Sequence, residues 1–365
     1  MMNICVPKER RTFEFRVGLT PGVVQMLTKE GHTCYVEHNA GIGAGFSDQE
    51  YERAGARIVY TPHEVFGRAD LLCKVARPTY EELEWLRPEI TIMGLLHLFS
   101  SRQDKIDIIV QKKITTISYE QIQLPDGTQP VRKPLSQIGG RLVAQIGAHL
   151  LQNDAGGKGI LLGGMGGVPP AEAVIIGAGT SGTAATRSLL GVGAHVTVLD
   201  INLDALQVIH ETFPGVATMV SNPRNIAKAT SYADIVAACI LVPGERPPII
   251  ITREMLRGMK PRSLIMDVSI DEGGCVETSR PTTHEHPTFI EEGITHYCVP
   301  NMGSAVARTS TYAFLNAAFP FIREIAEKGS EVSVEENPVI QTGALIYKGE
   351  LRRLLPVRPD GEDEE

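Results

Sequence analysis

Ala173-Val174-Ile175-Ile176-Gly177-Ala178-Gly179-Thr180-Ser181-Gly182 runs from an apolar strand into three glycines. Thr183 to Leu190 continues as a helix. Ala194-His195-Val196-Thr197-Val198-Leu199 reads as a second strand, and Asp200 stands at its carboxyl end, eighteen residues past Gly182. Strand, G-x-G-x-x-G, helix, strand and acid in this order make a dinucleotide site. Gly177 permits the tight turn, Gly179 lets the backbone approach a pyrophosphate, and Gly182 lets the helix pack close to the sheet. Thr180 and Ser181 open the helix, whose unpaired N–H groups and partial positive charge face the phosphates. A carboxylate at Asp200 accepts hydrogen bonds from an adenosine ribose and repels a 2′-phosphate, which favours NAD over NADP. The plainer alternative is a glycine-rich turn with no nucleotide. The acid at the ~20-residue spacing of such sites speaks against it.

Outward from this unit the chain alternates strand and helix. Strands are expected at Ile4 to Val6, Thr33 to Glu37, Leu71 to Val75, Ile90 to Leu96 and Ile114 to Ser118. Thr20 with Pro21 opens a helix that Gly31 ends, and Ser47-Asp48-Gln49-Glu50 and Thr79-Tyr80-Glu81-Glu82 are capping boxes. Such alternation implies a mostly parallel sheet covered on both faces. A longer helix, Ser136 to Gln152, precedes the glycine-rich loop 156–170, and further strands are expected near Ile235, Leu264 and Tyr297. A second long helix, about Ser310 to Lys328, has apolar residues on more than one face and is expected to lie buried between domains. The expected architecture is α/β: two Rossmann-like doubly wound domains joined by long helices, with a cleft between them. Residues 1–135 and 310–365 form a discontinuous substrate and catalytic domain, and 136–309 form the NAD-binding domain.

A chain of 365 residues is long for one core, which fits two domains. Its 42% hydrophobic and 21% charged residues are ordinary for a globular protein. A net charge of −8 without a basic stripe excludes nucleic acid as the expected partner, and the acidic run 360–365 reads as a solvated tail. The six cysteines form no C-x-x-C pair and mostly sit in apolar runs, as free thiols of a reducing cytoplasm do. The N-terminus shows no leader pattern, and no apolar run reaches the ~18 residues of a membrane span.

A dinucleotide site does not define a reaction. Ligands of open α/β sheets bind beyond the carboxyl ends of strands, so polar residues where apolar strands stop are the candidates. Leu71-Leu72-Cys73 stops at Lys74, Ile92-Met93-Gly94-Leu95-Leu96 at His97, and Leu264 to Ile270 at Asp271; Phe15-Arg16-Val17 precedes the helix capped by Thr20. Each has a plainer reading. Lys74 is an ordinary solvent-facing strand end, His97 a core histidine, Arg16 part of a surface ion pair with nearby Glu14, and Asp271 one acid beside Asp267 and Glu272.

Several motifs together resemble one family. These are Pro7-Lys8-Glu9, Glu14-Phe15-Arg16-Val17 with Thr20-Pro21, Leu72-Cys73-Lys74-Val75, Leu96-His97-Leu98 and Ser118-Tyr119-Glu120. They continue with the Gly177 motif, Val198 to Asn202, Leu241-Val242-Pro243-Gly244, Ile270 to Cys275 with Ser279 to Thr283, and Asn301-Met302 with Arg308 to Thr311. Over residues 3 to 350 the chain resembles the NAD-dependent alanine dehydrogenases of the alanine dehydrogenase and transhydrogenase α-subunit superfamily. The resemblance implies that Arg16 holds a substrate carboxylate and that Lys74 contacts the carboxylate and carbonyl side. It makes His97 a general acid/base and Asp271 the second catalytic ionisable group. It places Ser136, Asp200, Leu241, Asn301 and Met302 along the cofactor, and implies a homohexamer acting on L-alanine, pyruvate and ammonium. No metal is expected. Gly303-Ser304-Ala305 after Met302, the run 243–248 and the acidic tail depart from common members and bear on substrate choice. Two other functions stay open: a dehydrogenase of another small amino acid or opine-like substrate, and a transhydrogenase-like hydride carrier that needs a partner.

Overall fold

The computed structural model describes residues 1–242 and 246–352. Pro243, Gly244 and Glu245 of the Leu241 motif, and the acidic tail 360–365, lie outside the described residues. The chain divides into two compact units: Met1–Leu135 with the residues from Ser304 onward, and Ser136–Gly303.

The strands of the first unit are β1 (Asn3–Val6), β2 (Thr33–Glu37), β3 (Arg57–Val59), β4 (Leu71–Ala76), β5 (Thr91–Leu95) and β6 (Thr115–Ser118). The second unit contributes β7 (Glu172–Ile176), β8 (His195–Asp200), β9 (Ala217–Val220), β10 (Ile235–Ala238), β11 (Leu264–Asp267), β12 (Thr288–Glu291) and β13 (Ile294–Tyr297). The chain then returns to the first unit with β14 (Ile346–Tyr347) and β15 (Glu350–Leu351).

The first sheet has the order β15-β14-β6-β5-β4-β1-β2-β3. Its six central and outer strands from β6 to β3 run parallel, and β14 and β15 add an antiparallel edge. The second sheet has the order β12-β13-β11-β10-β7-β8-β9, parallel except for β12. Both sheets are doubly wound. Strand order reverses between β1 and β4 in one and between β7 and β10 in the other, and crevices for ligands open at such points.

Both faces of the first sheet are covered, as its sequence alternation implies. Leu71, Cys73 and Val75 of β4 join one core with Ile4 and Val6, while Leu72 joins another with Cys5 and Ile92. The helix ends behave as their sequences dictate. The Thr20 hydroxyl accepts the Val23 N–H, and both capping boxes form, at Ser47 with Glu50 and at Thr79 with Glu82.

Three differences from the sequence reading have physical causes. The strands β3, β9, β12 and β15 escaped notice because they lie at sheet edges, where partial exposure removes the apolar pattern. The connecting helix spans Arg132–Leu150 and so begins before Ser136. Pro134 resembles a break but sits in the first turn, where no N–H bond is needed. The second long helix spans Ala307–Lys328 and so begins before Ser310. Its Phe314, Leu315, Ala318, Ile322 and Ile325 belong to the core of the first unit with Val17, Leu71 and Tyr119.

The connecting helix packs tightly inside the second unit at one glycine. A Cβ on Gly140 would lie 2.1 Å from the Ser181 carbonyl oxygen and 2.8 Å from the Ala184 Cβ, whereas one on Gly139 would meet only a Val268 methyl at 3.9 Å. Gly140→Ala is therefore expected to destabilise the second unit by about 1–3 kcal/mol through overpacking. Gly139→Ala is expected to be neutral or to stabilise by up to roughly 1 kcal/mol through helix propensity. Urea unfolding of the two variants checks the pair.

Candidate active site

The glycine turn of the second unit follows β7. Gly177 has φ 107°, and a Cβ there would lie 2.4 Å from the Cys239 carbonyl oxygen after β10. Its left-handed backbone therefore packs against the strand across the order reversal. A Cβ on Gly182 would overlap the Gly177 carbonyl oxygen at 1.7 Å, so only glycine brings the helix this close. Gly179 has nothing within 4 Å of its Cβ position and caps the helix Thr180–Gly191 without a side-chain hydrogen bond. The turn thus presents bare backbone and an uncapped helix N-terminus, the form a pyrophosphate requires. The residues present fit a dinucleotide.

Asp200 ends β8 and clips this turn. Its carboxylate accepts the Ala178 N–H at 2.5 Å and the Asn202 N–H at 2.8 Å. Ser181 and Ser136 also come together, the Ser181 hydroxyl donating to the Ser136 carbonyl at 3.1 Å. Leu241 lies exposed just beyond β10, and Met302 is buried.

Asp271 was expected where the strand from Leu264 stops. The strand ends earlier, at Asp267, and Asp271 occupies the 3-10 turn Ile270–Glu272. The two acids separate by environment. Asp267 is buried and accepts the N–H groups of Ser269, Cys275 and Val276, which makes it a structural group. Asp271 is exposed and accepts the Asn301 N–H at 2.9 Å, so these two candidates are neighbours.

The first unit gathers its candidates at the carboxyl edge of its sheet, around the reversal between β1 and β4. Lys74 is no strand end: it lies inside β4 and is 1% exposed. Its ammonium donates to Glu82 at 2.6 Å and lies 3.2 Å from Glu9. Burial opposes the Lys74 charge, yet the two carboxylates hold its pKa above the ordinary lysine value. Glu82 serves two partners, since its other oxygen accepts the Thr79 N–H of the capping box. Glu9 also accepts the Val75 and Ala76 N–H groups, where the pairing of β4 with β5 shifts register.

Arg16 is buried rather than on the surface, and Glu14 grips it bidentately at 2.8 and 2.6 Å. Ser304, one of the departures from common family members, accepts the Phe15 N–H at 2.9 Å and donates to the Phe13 carbonyl. It thereby fixes the loop that carries Glu14 and Arg16.

His97 follows β5 in a left-handed conformation, φ 42° and ψ 46°, and its N–H donates to Glu120 at 2.8 Å. Burial, then the charges of Arg132, Arg77, Arg11 and Arg16, push the imidazole pKa down to about 3. Burial pushes the Glu120 carboxyl up to about 7.

Sequence reasoning missed Glu9, Glu14, Glu82, Arg77 and Arg132 as site residues. One signal was available: a lysine inside an apolar strand requires a buried carboxylate. Among the described residues no group of three His, Cys, Asp or Glu side chains is arranged to hold a metal ion.

Comparison with known proteins decides the family. Residues 5–139 match the family described as Alanine dehydrogenase/PNT, N-terminal domain, and residues 143–353 match Alanine dehydrogenase/PNT, C-terminal domain. The chain belongs to the alanine dehydrogenase/PNT family. Within this family, an alanine dehydrogenase of Methanococcus maripaludis is 43% identical over 352 residues, covering 96% of this chain and 94% of the relative. One of Mycobacterium tuberculosis is 41% identical over 351 residues with the same coverage. The solved structure of an L-alanine dehydrogenase aligns with a TM-score of 0.93 and 38% identity, covering 96% of this chain and 97% of the other. A transhydrogenase from Sinorhizobium meliloti has a TM-score of 0.84 at 23% identity, over 96% and 99% of the two chains, and shares the fold.

Two outcomes follow from these charges. Glu82→Ala removes one of two counter-ions from a buried ammonium and is expected to cost about 3–5 kcal/mol in urea unfolding. The imidazole of His97 is expected to stay neutral between about pH 5 and 8, so that its NMR shifts show no ring-protonation step over that range. Because its folded pKa is depressed from 6.5 to about 3, the unfolded chain binds this proton first, and its contribution to stability is lost as pH falls from 6.5 toward 3. His97→Asn removes that acid-side slope.

Proposed function

We propose that the chain catalyses the NAD-dependent oxidative deamination of L-alanine to pyruvate and ammonium, and the reverse reductive amination. The observation that carries this reading is the 41–43% identity to alanine dehydrogenases over 96% of the chain. The chemistry of the site supports it residue by residue.

When bound, NAD supplies the acceptor for the hydride that leaves the substrate Cα. Gly179, Thr180, Ser181 and Gly182 would hold its pyrophosphate through backbone N–H groups at the helix start, while Gly177, whose own N–H donates to the Leu199 carbonyl, makes the tight turn; Ser136, Asp200, Leu241, Asn301 and Met302 would lie along its length. Asp200 selects a ribose with a free 2′-hydroxyl. Glu14 fixes the plane of the Arg16 guanidinium, and a fixed guanidinium binds a carboxylate in a two-pronged fashion that orients Cα. Lys74, held charged by Glu9 and Glu82, favours negative charge that develops on the carbonyl oxygen. The neutral His97 imidazole takes a proton from the substrate ammonium or from attacking water, then returns one as ammonia departs. The bound substrate carboxylate offsets the surrounding arginine charge and brings the imidazole pKa back toward neutrality. Asp271 is the second ionisable group and carries the Asn301 N–H.

A second reading, a dehydrogenase of an opine-like acid, is favoured by one observation. Four arginine charges bear on His97, which suits a substrate with more than one carboxylate. Lys74 and His97, on β4 and just after the adjacent strand β5, argue against a partner-dependent hydride carrier. Assembly as a homohexamer is supported by family membership and by Leu161, Met165 and Val168, exposed apolar residues on the loop bridged at Met165 and Val168. A cytoplasmic location is supported by six free cysteines.

Purified protein is expected to reduce NAD at alkaline pH with L-alanine well above serine or valine, and to use NADP poorly. Asp200→Ala is expected to narrow the NAD preference. His97→Ala is expected to lose about 10²–10⁴-fold in kcat with folding intact, whereas Lys74→Ala, which leaves Glu9 and Glu82 buried without their counter-ion, is expected to lose stability as well as kcat. Turnover confined to a dicarboxylic amino acid or an opine moves the substrate assignment to the second reading. A His97 variant that keeps most of its kcat overturns the acid/base role.

A further inference from the structure

Glu120 lies in the 3-10 turn Tyr119–Gln121 that follows β6, and it is 2% exposed. Strand β6 is the parallel neighbour of β5, with Ser118 opposite Gly94. Glu120 and His97 therefore leave adjacent strands at the same carboxyl edge. One oxygen, Oε1, accepts the main-chain N–H of His97 at 2.8 Å. The other, Oε2, is buried with no hydrogen-bond partner.

Both features carry a cost that a packing role does not explain. A residue with a Cβ in the left-handed region is disfavoured by roughly 1–2 kcal/mol. A buried carboxyl oxygen without a partner is disfavoured as well. A glutamine would accept the same N–H, and a glycine would adopt the turn freely. Instead a carboxyl holds the backbone of a histidine.

We propose that Glu120 is a positioning residue for His97: its carboxyl group accepts the histidine's main-chain N–H and holds it in the left-handed turn on which the imidazole is presented. The proposal rests on the reading above that His97 moves the substrate's proton.

The charges around the two groups support it. Glu120 faces its own N–H and those of Leu96 and His97, and Arg132 from the start of the helix Arg132–Leu150. All of these favour its carboxylate, but burial outweighs them and places its titration at about 7. His97 meets Arg132, Arg77, Arg11 and Arg16 and is held at about 3. In solution a histidine takes the proton before a glutamate does; here the order is reversed. Below about pH 7 the pair keeps its proton on Glu120 and leaves the imidazole as a base. Ionisation of Glu120 above about pH 7 strengthens the hydrogen bond from the His97 N–H and raises the basicity of the ring.

The test compares Glu120→Ala, Glu120→Gln and Glu120→Asp, alone and combined with His97→Ala, by pH profiles of kcat and KM for L-alanine. Glu120→Ala is expected to lower kcat by at least about tenfold with KM within about threefold. Glu120→Asp is expected to recover part of that loss. Glu120→Gln, which keeps the acceptor, is expected to lose the inflection near pH 7. In the His97→Ala background, Glu120→Ala is expected to cost nothing further, because a group that acts only through His97 has no separate effect. A second readout needs no turnover: the NMR shift of the His97 ring in the free protein is expected to step near pH 7 and to lose that step in Glu120→Gln. Parent-like kcat in Glu120→Ala, an equal loss without His97, or an NMR step that survives in Glu120→Gln overturns the proposal. If Glu120→Ala does not fold, the Glu120→Gln profiles and NMR shift decide it. If no amino acid is turned over while the NMR step behaves as expected, the reaction assignment fails and the positioning of His97 stands.

Discussion

An ammonium cannot be left alone inside a buried strand, and Lys74 lies in the middle of one. Every residue of β4 is buried, and the strand sits beside the reversal of strand order. Two carboxylates meet the charge, Glu9 from beyond β1 and Glu82 from the helix Tyr80–Trp85. The same carboxylates bind backbone: Glu9 accepts two N–H groups of β4 itself, and Glu82 caps its own helix. Removing the lysine charge would strand both acids, and removing either acid would weaken a strand or a helix start. The carboxyl edge of the first sheet is thus built around an ion cluster that also holds the sheet together. Such clusters add little net stability compared with an apolar core, but they place charge with a fixed geometry.

The second unit solves a different problem, the close approach of backbone to backbone. Gly177, Gly182 and Gly140 each occupy positions where a Cβ would overlap a carbonyl oxygen. These contacts press the helix Thr180–Gly191 between its strand and the connecting helix. Gly179 by contrast meets nothing, so the turn is tight below and open above. Asp200 binds the Ala178 amide and so fixes the turn from the neighbouring strand. An acid that is expected to meet a ribose already shapes the loop that is expected to meet the phosphates.

Around His97 the arrangement sets which group holds a proton. Burial, with arginines from three segments of the first unit, keeps the imidazole neutral, while burial keeps Glu120 protonated to about pH 7. The two effects pull stability in opposite directions with pH. Neutral His97 favours the folded state as acid is removed, whereas the raised Glu120 pKa costs stability progressively as pH rises from about 4.5 to 7 and in full above that. The site therefore carries a stability cost near neutral pH that a packed apolar edge would not.

The sequence by itself was enough for the local pieces. The glycines with Asp200, the strand–helix alternation and the capping boxes follow from spacing and residue type, because turns, caps and sheet faces are decided within a few residues; Arg16, Lys74 and His97 were candidates by position, each with a plainer reading, and took their expected roles from the family resemblance. The tertiary structure alone decided the rest. Edge strands such as β9 and β12 show no apolar alternation, because what makes them strands is the neighbour they pair with. The helix Ala307–Lys328 is apolar on several faces, and only packing assigns it to the first unit's core. Glu9 becomes a partner of Lys74, and Glu120 of His97, through parallel strand order, whereas Glu82 reaches Lys74 from the helix that directly follows β4. Charge and burial act through space. A carboxylate read along the chain as a helix cap proves, once the sheet has assembled, to be the counter-ion of a buried lysine.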